Sequence, residues 1–151
     1  MAVATHPGID FVKYAEEHLF YEVQMFLLAR NALPGKNQFE MNAMLEVCLL
    51  HLRNLIDFFY YYTPPDDVVA EHYVADWAAK RPAIPPALTN AKQRANKELA
   101  HLTTQRISGT PAHKAWDFGA LGAELRPVIA VFLREVGSTF PARTRTELLK
   151  L

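Results

Sequence analysis

Apolar residues recur every three to four positions along four long stretches of this chain, and proline stands in or beside each gap between them. That period builds helices with one buried face. Pro34-Gly35, Thr63-Pro64-Pro65 and the three prolines between Lys80 and Pro86 stop the helices, because proline has no amide hydrogen and disfavours helical geometry in the residue before it. The expected class is therefore all-α: a four-helix up-and-down bundle with an extra short helix after the second long helix.

The first helix is expected from about Ile9 to Leu33, with Val12, Ala15, Leu19, Val23, Phe26 and Leu27 as its buried stripe. The second opens on Asn37, with Glu40 three residues later to complete a capping box. It should run to about Tyr62 on the stripe Met41, Leu45, Cys48, Leu52, Leu55, Phe59 and Tyr62. A neighbouring row, Met44, Val47, His51, Asn54 and Phe58, carries polar groups into an apolar face. A short helix is expected over about Asp67 to Ala78, and Lys80 to Pro86 reads as an ordered connection because it lacks Gly and Ser. The third long helix should span about Ala87 to Gln105, with Leu88, Ala91, Ala95, Leu99 and Leu102 facing inward. Ser108-Gly109 breaks it. Thr110 followed by Pro111 then opens a last helix to about Val136, kinked at Pro127. Residues 1–136 read as one domain, and residues 137–151, mixing Pro, Thr and Arg, as a loosely held tail.

With 151 residues, half of them apolar, the chain has enough material for one core and too little for two ordinary domains. Nine Phe, six Tyr and two Trp supply large burial units, each contributing roughly 1.5 to 3 kcal/mol when fully removed from water. A single cysteine, Cys48, excludes an internal disulfide and a multi-cysteine zinc site. The first residues show neither a basic region nor an apolar run of signal-peptide length, and the most apolar stretch, Val47 to Tyr62, is interrupted by His51, Arg53, Asn54 and Asp57. The expectations are a cytoplasmic protein with no membrane span. Sixteen basic and sixteen acidic residues cancel, so no global field draws the chain onto nucleic acid, and any RNA contact is local.

The segment with the most chemistry is Arg94-Ala-Asn-Lys-Glu-Leu-Ala-His101. Residues seven apart share a helical face, so Arg94 and His101 point the same way, with Asn96 and Lys97 as supporting groups. Arginine holds a phosphate through its planar fork, and histidine moves a proton near neutral pH. The plainer reading is a solvated face with an Arg94 and Glu98 ion pair. On the second helix, Glu46, Arg53 and Asp57 share a stripe and His51 and Asn54 the next. Were that stripe to face the third helix, Glu46, His51, Arg53, Asn54 and His101 would form one polar network, which can fix helix register without any catalysis. His18, His51 and His101 come from three helices, yet their spacing lacks the paired pattern of bundle metal sites, so no metal or cofactor is expected. The run Phe58 to Tyr62 is either a partner surface or aromatic packing under the proline-rich connection.

Arg94 and His101 with six residues between them, on a helix of a bundle, resemble the HEPN family of helical domains (higher eukaryotes and prokaryotes nucleotide-binding). The resemblance implies a metal-independent endoribonuclease or an RNA-binding component of a toxin and antitoxin or defence-type system. In such a system Arg94 and His101 would be catalytic, and two copies would pair to bring the motifs together. Ala95, where the family often has a polar residue, departs from the pattern. The alternative expectation is a non-catalytic module that binds a protein partner and uses its interhelical polar groups structurally.

Overall fold

The computed structural model describes residues 8–35, 37–61, 66–98 and 115–151, and all regular structure among them is helical. Asp10 starts α1 (Phe11–Tyr14) by accepting hydrogen bonds from the Val12 and Lys13 amides at 3.0 and 3.1 Å. A π turn (Ala15–Leu19) leads without a break into α2 (Phe20–Ala32). The stripe Ala15, Leu19, Val23, Phe26 and Leu27 is buried as its spacing predicts, but Val12 is 47% exposed. The wider π turn accounts for this, since it rotates the side chains before it out of phase with those after it.

The capping box of α3 (Gln38–Tyr60) is complete: the Glu40 amide donates to Asn37 Oδ1 at 3.0 Å and the Asn37 amide to Glu40 Oε2 at 3.3 Å. In place of one short helix over Asp67 to Ala78 there are a 3-10 turn (Ala70–His72) and α4 (Trp77–Lys80). Two local choices divide this stretch. His72 Nδ1 takes the Val69 amide at 3.0 Å, a side-chain bond that competes with helix, and Asp76 adopts the left-handed region at φ 55°.

The third long helix is α5 (Pro86–Glu98), with Leu88, Ala91 and Ala95 buried as expected. Leu99, His101, Leu102, Ser108, Gly109, Thr110 and Pro111 lie outside the described residues. The expectation of unbroken helix up to Val136 is corrected at Ala115 to Asp117, which are not helical. There the Asp117 carboxylate takes the Ala120 amide at 2.8 Å and begins α6 (Phe118–Glu135).

The C-terminal segment is also corrected. It is not loosely held: residues 137–151 carry α7 (Ala142–Leu148), and Phe140, Thr144, Leu148 and Leu151 are buried. Composition hid this because the anchoring residues are sparse. Thr144, fully buried, donates its hydroxyl to the Ala15 carbonyl at 2.9 Å, tying α7 to the π turn. Such a bond contributes about 1 kcal/mol.

In the packing, α2 lies on α3, α3 on α5 and α6, α5 on α6, and α7 against α2 and the π turn. The run Phe58 to Tyr60 is buried, so at those three positions packing prevails over a partner surface. Phe58 and Phe59 meet Phe132 of α6 edge-on at 5.6 and 5.4 Å between ring centres, with Tyr73, Trp77 and Phe140 around the same ring. Cys48 sits in the core, where burial pushes its thiol up to about 12 despite the opposing charge of Arg30. It belongs to the packing. Among the described residues, no helix is long and apolar enough to cross a membrane.

Candidate ligand-binding site

The polar groups of α3 do not act as one stripe. Residues 53 and 54 are about 100° apart around a helix of 3.6 residues per turn, and they serve different neighbours. His51 and Asn54 turn to α2, not to the third long helix. His51 Nδ1 lies 2.7 Å from Glu22 Oε2, and Asn54 Nδ2 donates to the same oxygen at 3.0 Å. A carboxylate offers only acceptors, so Nδ1 carries the hydrogen in this pairing. Tyr21 covers the imidazole edge-on at 5.5 Å.

His51 is 5% exposed, so its bond to Glu22 matters to stability. Replacing Glu22 by Ala leaves that buried ring nitrogen without its acceptor, and urea denaturation should show a loss of about 2 kcal/mol. Glu22→Gln retains an acceptor oxygen and should lose clearly less. Equal losses for the two variants would show that the carboxylate's packing, not its hydrogen bonds, is what counts.

Arg53 and Asp57 turn the other way. Their ion pair spans 3.7 Å, and Lys92 of α5 closes on Asp57 while lying 3.5 Å above the Tyr61 ring centre. So α3 reaches the first and third long helices through two separate polar sets.

Between these sets lies a cavity of about 410 Å³, within the range of small-molecule sites. Three chain segments wall it. Tyr14, His18 and Glu22 come from α1, the π turn and α2; Arg53, Asn54 and Asp57 come from α3; Asp66, Asp67, Val68 and Val69 come from the segment before the 3-10 turn. Leu19, Leu55 and Phe58, all buried, provide its apolar surface. The π turn matters here because it sets the phase at which His18 and Glu22 follow Tyr14, and such turns recur at functional sites. Burial, and then the charges of Glu22 and Asp67, push the Tyr14 phenol above its ordinary value, so it remains a neutral donor. The Arg53 Nε is buried and has no hydrogen-bond partner among the described residues.

The other sequence candidates are dispersed. Arg94 is half-buried on α5, its guanidinium carbon 3.8 Å from the Trp116 ring centre and its Nη1 donating to the Ala115 carbonyl at 3.4 Å. It lines a separate hollow of about 210 Å³ with Asn90 and Asp117. Asn96 is half-buried, Lys97 exposed, and Glu46 exposed on α3, away from the network expected to include it. His101 lies outside the described residues. Among the described residues, no group of three or more His, Cys, Asp or Glu side chains is placed to hold a metal ion.

Sequence reasoning missed Glu22, Asp66 and the cavity itself. Glu22 had a legible signal, since it is seven residues after Ala15 and four before Phe26, a carboxylate on the buried stripe. Asp66 had none. In comparison with known proteins, the chain matches no family model, no curated sequence and no solved structure.

Proposed function

We propose that this chain is a helical binding domain that holds a small polar ligand in the cavity between the π turn, the C-terminal half of α3 and residues 66–69. In this reading α2, α3, α5 and α6 run up and down as a four-helix bundle, with α4 as the extra short element, and the rigid bundle positions the site. The observation that carries the reading is the convergence of polar side chains from three segments around a cavity with an apolar floor. The test is amide-detected NMR with metabolite mixtures containing amino acids, polyamines and nucleosides. A binder should shift residues 14–22, 53–58 and 66–69 together. Val68→Trp, which fills the cavity from its lining, should abolish those shifts while helical circular dichroism is retained. No shift from any compound class removes the reading.

One observation favours a second reading, the HEPN-like RNA-directed domain, cytoplasmic and acting as a homodimer within a toxin and antitoxin or defence-type system. The Arg94 guanidinium carbon lies 3.8 Å from the Trp116 ring centre, a contact that restrains a phosphate-binding side chain on the same helix as Asn96 and Lys97. In that case fluorescently labelled short RNA binds or is cleaved, and Arg94→Ala reduces this at least about tenfold, the worth of one charged hydrogen bond. RNA neither bound nor cut removes this reading.

A further inference from the structure

Arg53 on the α3 wall and Asp66 on the wall made by residues 66–69 bring opposite charges to the cavity from two segments, and this bears on what it holds. On the α3 wall, the Arg53 Nε is buried and has no hydrogen-bond partner among the described residues; its ion pair with Asp57 Oδ2 spans 3.7 Å, too long for a hydrogen bond, and Lys92 holds the other carboxylate oxygen. An incoming oxygen anion would give this buried N–H the hydrogen bond that Asp57 is too far away to make. On the wall made by residues 66–69, Asp66 is an exposed carboxylate at the rim. His18, exposed on the π turn, and the neutral Tyr14 phenol add hydrogen-bonding groups. Leu19, Leu55, Phe58 and Val69 are buried around the same space, so the floor accepts a hydrocarbon group and not a third charge.

Resting on the binding-domain reading above, we infer that the ligand is a zwitterion with an apolar body, of the amino-acid class, whose carboxylate pairs with Arg53 and whose ammonium pairs with Asp66. A pure anion would offer no opposite charge to the Asp66 carboxylate. A pure cation would leave the Arg53 Nε without a hydrogen bond.

The test uses the full chain and three probes of one shape: L-leucine, isocaproate, which lacks the ammonium, and isoamylamine, which lacks the carboxylate. Amide NMR titration gives each affinity. L-leucine should bind at least about tenfold more tightly than either analogue, since each removes one charged contact. Arg53→Gln should weaken L-leucine by about the same factor and leave isoamylamine unchanged, and Asp66→Asn should do the converse with isocaproate as the unaffected probe. Both side chains are partly or fully exposed, so the variants should fold. Equal binding of leucine and one analogue overturns the zwitterion. So does silence of all three probes while a polyamine or nucleoside shifts the same amides, and in either case the binding-domain reading stands. Silence towards every class overturns both.

Discussion

Replacing Phe132 by Ala should cost about 3 to 5 kcal/mol, the usual range for removing a fully buried aromatic ring. Phe132 has no solvent exposure, and rings from four other segments meet it: Phe58 and Phe59 of α3, Tyr73 after the 3-10 turn, Trp77 of α4 and Phe140 before α7. Those rings belong to four separate segments, so they cannot collapse into the gap without moving several backbones. The cavity should therefore persist, placing the loss towards the upper part of the range. For a domain of this length the melting temperature should fall by about 10 °C. Phe132→Leu, which keeps much of the volume, should lose distinctly less. Urea unfolding of both variants checks this; a loss of only about 1 kcal/mol for the alanine variant would show that the surrounding rings rearrange freely.

The course of the helices was legible because it follows from two strong local signals, apolar period and punctuation. Asn37 and Glu40 cap α3 as their spacing requires, and Leu88, Ala91 and Ala95 turn inward. What escaped depended on single residues acting over distance. One threonine, Thr144, holds α7 by reaching the Ala15 carbonyl, and no periodicity reveals a bond between residues so far apart. Asp117 starts α6 at a point that the apolar pattern carries straight through. The candidate site was half legible. His51, Asn54 and Arg53 stood out as polar groups in an apolar neighbourhood, but which helix each would meet depends on rotation about the α3 axis. Spacing within one helix cannot fix that. The carboxylate of Glu22 completes the information, and it was readable as a charge on a buried stripe.

Trp77 is the second place where one side chain should carry a large effect. It is 2% exposed, and its Nε1 donates to the Phe59 carbonyl at 2.7 Å. Phe59 lies in the last turn of α3, where carbonyls have no partner within the helix, and Arg81 Nη1 adds a second donor to the same oxygen at 2.9 Å. Trp77→Ala removes the ring and one of these donors, so the expected loss is again about 3 to 5 kcal/mol. Trp77→Phe keeps the aromatic packing and removes only the donor. Because Arg81 still satisfies the carbonyl, this change should cost about 1 kcal/mol. Combining Trp77→Phe with Arg81→Ala leaves the buried carbonyl without either side-chain donor, so the double variant should lose more than the sum of the single losses, by at least about 0.5 kcal/mol. The same tether bears on the cavity. Trp77 fastens the connection containing residues 66–69 to the end of α3, and Val68 and Val69 line the cavity wall. In the alanine variant, hydrogen exchange at Val69 and Ala70 should therefore accelerate more than exchange at the α2 end of α3. Uniform acceleration would instead mean that Trp77 supports the core as a whole and gives no special hold on the cavity wall.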